Sequence, residues 1–92
     1  MKVIKFSATW CAPCKVFANT FNAVKEKYSN KGIDFLVYDV EEDEKGVELA
    51  EKYGIRGVPT VIFADDDFNK IDSISGNVPL KYLDDAVSKF IS

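Results

Sequence analysis

Apolar and polar residues follow two different periods along this chain, and the switches between them mark its elements. Val3 to Ala8 reads as a strand, with Val3, Ile4 and Phe6 in an apolar run. From Pro13 to about Tyr28 the period lengthens. Cys14, Phe17, Ala18, Phe21, Val24 and Tyr28 then fall on one face of a helix. Pro13 suits its first turn, where a missing N–H has no helical partner to lose. Asn30-Lys31-Gly32 is expected to end this helix, with Gly32 available for a left-handed cap. Ile33 to Val40 is a second strand, and strand, helix and strand in this order predict a parallel crossover. Glu41-Glu42-Asp43-Glu44 leads into a short helix from about Lys45 to Lys52, where acids near the start suit the dipole. Thr60 to Ala64 and Asn69 to Ser75 are two further strands joined by a turn at Asp65-Asp66-Asp67. Ile71 and Ile74 break strict alternation, as an edge strand or a bulge would. Pro79 to Ile91 is the last helix, with Leu83, Val87, Phe90 and Ile91 facing inward. The order is βαβαββα, with no repeat and no linker.

Ninety-two residues make one domain, 1–92. An apolar content of 47%, with seven Phe and four Tyr, supplies a core that needs no staples. The net charge of −3 and the lack of a basic stripe argue against nucleic acid as a partner. Met1 to Lys5 is too short and too charged for a signal peptide, and no apolar run approaches membrane length, so no membrane association is expected. The run Glu41–Glu44 reads as a solvated helix entry, and the three aspartates at 65–67 as turn chemistry in preference to a metal site.

Two cysteines do not make a disulfide framework. They lie at Cys11 and Cys14, within Trp10-Cys11-Ala12-Pro13-Cys14-Lys15, after a strand and at the opening of a helix. The expected compartment is a reducing cytoplasm, where such a pair is catalytic or metal-binding. A thiolate is the reactive form of cysteine, and a helix N-terminus stabilises it through unpaired N–H groups and the dipole. Two intervening residues let Cys14 reach back to Cys11 and close a disulfide. Cys11 is therefore read as an exposed nucleophile. Cys14, one turn in and less exposed, is read as the resolving thiol. The competing reading is half of a shared zinc or iron–sulfur site. With no histidine and no second cysteine pair, it would need a dimer.

Ser7-Ala8-Thr9-Trp10-Cys11-Ala12-Pro13-Cys14-Lys15 and Tyr53-Gly54-Ile55-Arg56-Gly57-Val58-Pro59-Thr60 stand in order at a suitable separation. Together they make the chain resemble the thioredoxin family over nearly its whole length. The resemblance implies a minimal thioredoxin fold: a four-stranded mixed sheet with three helices. Helices 13–28 and 79–91 would cover one face and helix 45–52 the other. The strand and helix that precede this core in larger members would be lacking, which leaves strand 33–40 at a sheet edge. Small thioredoxins of phages and archaea are similar in length. The implied activity is protein-disulfide reduction through a Cys11–Cys14 disulfide without a cofactor. A thioredoxin reductase or a small thiol would recharge it, and the protein would act as a monomer. The resemblance also implies a cis bond before Pro59, with the proline facing the cysteines and keeping metal away from them. Val58 would offer backbone groups to an extended substrate. Gly76 would leave room beside the site, and Trp10 would form an apolar rim or pack the loop.

Four positions depart from the family pattern. Ala12 stands where glycine is commonest, which bears on the reduction potential. Asn19 replaces a helix-kinking proline, so a straighter helix is expected. Lys5 occupies the place of a buried aspartate that accepts a proton from the second cysteine, and Val37 that of the aspartate's lysine partner. Val3, Lys5 and Ser7 share one strand face. We read this more polar face as the one covered by a single helix, with the Lys5 stem packed and its ammonium reaching water. The alternative places Lys5 near Cys14, shaping its proton transfer. Two other functions compete with the reductase. One is a glutathione-coupled, glutaredoxin-like enzyme, whose usual tyrosine inside the motif is absent. The other is a thioredoxin-fold binding subunit of a larger complex, which would not need both cysteines.

Overall fold

A computed structural model describes residues 1–92. Its elements are β1 (Lys2–Ser7), α1 (Ala12–Lys27), β2 (Asp34–Asp39), α2 (Glu44–Tyr53), β3 (Thr60–Ala64), β4 (Lys70–Ser75) and α3 (Leu80–Ile91). The four strands form one mixed sheet in the order β2-β1-β3-β4. β1 runs parallel to β2 and antiparallel to β3, and β3 pairs antiparallel with β4. The two central strands are the buried ones. All of Thr60–Ala64 is buried, as are Val3, Ile4, Lys5 and Phe6. This is what a strand covered on both faces requires.

Side-chain alternation divides the interior in two. Val3, Val61, Phe63 and Ile74 meet Phe17, Phe21 and Val24 of α1 and Leu83 and Val87 of α3. On the other face Ile4, Phe6, Ile62 and Ala64 meet Leu49 of α2. Lys5 pairs in register with Val61 and Val37, so it belongs to the first face. That corrects the expectation that Lys5 lies on the side covered by one helix: α1 and α3 both cover it. The polarity of β1 pointed the other way, because Lys5 and Ser7 make this face the more polar one although two helices cover it.

Local chemistry sets the ends of the elements. α1 stops at Tyr28, whose N–H bonds back to the Val24 carbonyl, while the Ser29 N–H bonds to that of Glu26. Gly32 is in the left-handed region at φ 72°, but it turns the chain into β2 four residues later and does not cap the helix. Asp84 of α3 holds the end of α1, accepting from Lys27 Nζ at 2.6 Å and from the Tyr28 hydroxyl at 2.5 Å. The Lys27 hydrogen bond, then that of Tyr28, holds the Asp84 carboxyl below its ordinary value. In the β3–β4 hairpin, Asp65 accepts from the N–H groups of Asp67 and Asn69. This is the turn role expected of it. The pairing of β4 shifts at Phe63 and Ala64, leaving Ile71 as the extra residue of a bulge.

α2 lies close against the end of β2 at Gly46. A Cβ there would meet the Asp39 carbonyl oxygen and come within 3.1 Å of the Tyr38 Cβ. Gly46→Ala would gain about 1 kcal/mol of helix propensity. It would lose about 1–3 kcal/mol through overpacking against backbone that cannot swing away. The urea midpoint is therefore expected to fall. A midpoint equal to wild type or higher would contradict this close approach.

Candidate active site

β1 ends at Ser7, and the chain turns through Ala8–Trp10 before α1 begins. The Cys11 N–H closes this turn on the Ala8 carbonyl at 3.1 Å. Cys11 is the N-cap of α1, in extended conformation, and Pro13 lies in the first turn. The Cys11 Sγ accepts a hydrogen bond from the Cys14 N–H at 3.1 Å. Sulfur thus takes the place that a serine or aspartate oxygen holds in most helix caps. The first turn carries no acidic residue, so nothing offsets the positive end of the helix beside that sulfur.

Cys11 and Cys14 are joined as a disulfide, with Cα atoms 5.2 Å apart. Exposure does not distinguish them: 3% for Cys11 and 4% for Cys14. The expected exposed first cysteine and sheltered second one are therefore not found in this oxidised state. The cause is cover from distant parts of the chain. Ala8 packs with both cysteines, and Val40 and Val58 close over them. The Val58 carbonyl oxygen lies 3.7 Å from the Cys11 Sγ.

The loop from Gly54 to Pro59 brings the second motif to this place. The Val58–Pro59 peptide bond is cis and Pro59 is buried. The Gly76 N–H donates to the Pro59 carbonyl at 2.9 Å, tying the end of β4 to the loop. Gly76 has φ 94°, a conformation that favours glycine. Trp10 is 69% exposed, and its indole N–H donates to the Glu41 carboxylate. Glu41 was read from sequence only as part of a solvated acidic run. No local signal marks a contact made across 31 residues. Ala12 is exposed on the first turn, beside the disulfide.

The Lys5 ammonium lies over Phe21, about two helical turns along α1 from Cys14. Lys5 is 5% exposed, and its Nζ lies 5.2 Å from the centre of the Phe21 ring. Phe21 in turn stacks edge-on against Phe35, the register partner of Val3. The side chain therefore points back toward the start of β1, while the disulfide sits beyond its end. No protein acceptor meets the ammonium, yet no buried side-chain nitrogen is left without a partner, so it retains contact with water. Val37, beside it on β2, is 50% exposed. Burial lowers the Lys5 pKa below its ordinary value.

The comparisons with known proteins agree with this geometry. A family model described as Thioredoxin matches residues 1–89. The chain belongs to the thioredoxin family. It is 37% identical over 90 residues to the chloroplastic M-type thioredoxin of Spinacia oleracea, a match that covers 98% of this chain and 47% of the relative. It is 35% identical over 79 residues to a thioredoxin of Malassezia sympodialis, covering 86% and 71%. The chain spans about half the length of the spinach and Pisum sativum M-type thioredoxins it matches. Among solved structures, the Malassezia sympodialis thioredoxin superposes with a TM-score of 0.84 at 32% identity, covering 99% of this chain and 75% of that one. Deadhead, a germline-specific thioredoxin of Drosophila melanogaster, gives 0.81 at 33% identity, covering 96% and 78%. The four-stranded mixed sheet with three helices is thus a thioredoxin fold.

Within that family setting Lys5 yields a sharp expectation. Its lowered pKa means that the folded state holds the charge at a cost below that pKa. Wild-type stability then rises with pH from the folded pKa toward the unfolded value of 10.5. Lys5→Met should raise the unfolding temperature at neutral pH, and its advantage should shrink as pH climbs through that window. Because the ammonium points away from Cys14, the pH–rate profile of disulfide exchange should move by less than about one unit. A displacement of a full unit, with circular dichroism unchanged, would place Lys5 in the active site.

Proposed function

We propose that this chain is a thiol–disulfide oxidoreductase that reduces protein disulfides, with Cys11 as nucleophile and Cys14 as resolving thiol. The observation that carries this reading is the Cys14 N–H donating to the Cys11 Sγ at the N-cap of α1. The same donor, with the helix dipole, favours negative charge on that sulfur once the disulfide is reduced. The Cys11 thiolate attacks one sulfur of the substrate disulfide and expels the other as a thiolate. The Cys14 thiolate then attacks the Cys11 Sγ, forming the Cys11–Cys14 bond and releasing the second substrate thiolate. Two electrons pass to the substrate. A thioredoxin reductase or a small-molecule thiol returns them.

Each flanking residue has a part in this reading. Val58 pairs its backbone with an extended substrate strand beside the Cys11 Sγ. Pro59 fills the space against the dithiol and keeps metal from it. Gly76 leaves room for the substrate chain, and Trp10, steadied by Glu41, gives an apolar rim. Ala12 and Pro13 tune the dithiol from inside the first turn. The protein acts as a monomer in a reducing cytoplasm and has neither nucleic acid nor membrane as a partner. No helix is long and apolar enough to cross a membrane. A place among small thioredoxins of the phage or archaeal kind belongs to this reading, although the relatives matched include plant, fungal and insect proteins.

Turbidimetric insulin reduction with dithiothreitol tests the reading. Wild type should accelerate it, Cys11→Ser should fall to background, and Cys14→Ser should trap a mixed disulfide. Iodoacetamide should modify Cys11 first in the reduced protein. No acceleration by wild type would favour a binding subunit, and preferential labelling of Cys14 would exchange the two roles.

A further inference from the structure

An open groove of about 510 Å³ leaves the redox site along the α2 side of β4. Pro59, Val58 and Gly76 form its near end, and Lys70 lies toward the other. Arg56 lines it too, and no carboxylate does. In a chain of net charge −3 with fifteen acidic residues, such a surface is an exception. Arg56 and Lys70 are both exposed, and neither is among the four ion pairs of the protein. Glu51, on the far side of Arg56, borders a neighbouring depression and makes no ion pair with it.

The bulge in β4 decides where Lys70 points. In a regular strand Lys70 would face away from Ser73 and Ser75. With Ile71 as the extra residue, Lys70 pairs with Ala64, Ser73 with Ile62 and Ser75 with Thr60. All three then share the face that carries Ile62 and Ala64, which is the α2 side. The result is a row of one ammonium and two hydroxyls leading from the redox site, with Arg56 across from it. At about 3.3 Å per residue, Ser75 to Lys70 is about 16 Å, the reach of four or five extended residues. No atom would obstruct a Cβ at Gly57 or Gly76, so this floor is open to an incoming chain. The opposite flank has the reverse charge. Glu41 holds Trp10, Glu42 follows it, and Glu44, Glu48 and Glu51 continue along α2.

We propose that this groove binds an acidic stretch of the protein substrate, on one side of its reactive cysteine, with Arg56 and Lys70 as the selecting cations. This rests on the reductase reading above and names its substrate class. The charge asymmetry also orients the substrate, because the same acids placed on the Trp10 side would meet the glutamates.

Peptide disulfides with two glutamates, two to five residues from the cysteine, test it against glutamine and lysine counterparts. Each is made with the pair before or after the cysteine. At low salt, kcat/KM for the glutamate peptide should exceed that for the glutamine peptide about fivefold in one of the two placements only. The ratio should approach one in 1 M salt, where the screening length is about 3 Å. It should also approach one in Arg56→Gln/Lys70→Gln, while Lys25→Gln, on the exposed face of α1, keeps it. A ratio near one in wild type, a preference in both placements, or one that survives in the double variant would overturn the groove. A cysteine-free glutamate peptide, titrated into the oxidised protein, reads the groove without turnover. Amide shifts at Arg56, Ser73 and Gly76 support it, and their absence overturns it. Failure to reduce any of the peptides would instead overturn the reductase reading, with the titration still deciding the groove.

Discussion

A single hydrogen bond, from the Cys14 N–H to the Cys11 Sγ, joins the fold of this protein to its chemistry. A helix begins with N–H groups that have no intrahelical partner, and something must satisfy them. Here a cysteine sulfur does so. On the proposed reading, the group that completes the helix is also the group that reacts, and one geometry serves both needs. A serine in that place would cap α1 equally well and do no redox chemistry. The missing acid in the first turn matters for the same reason, since a carboxylate there would compete for the dipole that a thiolate uses.

The rest of the structure holds that helix end in place. β1 and β3 are buried on both faces, and β1 aims the chain at the turn that Cys11 closes on Ala8. Phe17 and Phe21 seat α1 on the sheet, and burial of such a side chain is worth about 1.5–3 kcal/mol each. Asp84 ties the far end of α1 to α3 through Lys27 and Tyr28. Residues remote in sequence then close the site from above. Val40 follows β2, and Val58 precedes β3. Their positions explain why both sulfurs are covered in the oxidised state and why the Val58 carbonyl stands next to the Cys11 Sγ.

What was legible in the sequence was what is local. The dithiol spacing, the proline loop and the periods of α1 and α3 each lie within a few residues, and they located the family, the element order and the two cysteines. The bulge at Ile71 was also visible as broken alternation. Gly32 was misread because a glycine near a helix end is often its cap, whereas here the backbone of Tyr28 ends the helix earlier. The face of Lys5 could not be read from β1, because the number of helices above each side of a strand is set by tertiary topology. The cover over Cys11 comes from residues 29 and 47 positions away. The Glu41 carboxylate that holds Trp10 is 31 positions from its partner. Such contacts leave no trace in periodicity. Likewise, which side of the sheet Lys70 faces depends on a pairing register that only the structure supplies.

The central claim is that the cap of α1 favours the thiolate of Cys11 over its thiol. Thiolate absorbance of the fully reduced protein, titrated from acid to alkali and assigned with each single-cysteine variant, tests it most directly. The account predicts that the first thiol to ionise is Cys11, at least about one unit below the free value of about 8.5. A Cys11 thiol that ionises at or above that value, or after Cys14, would contradict it.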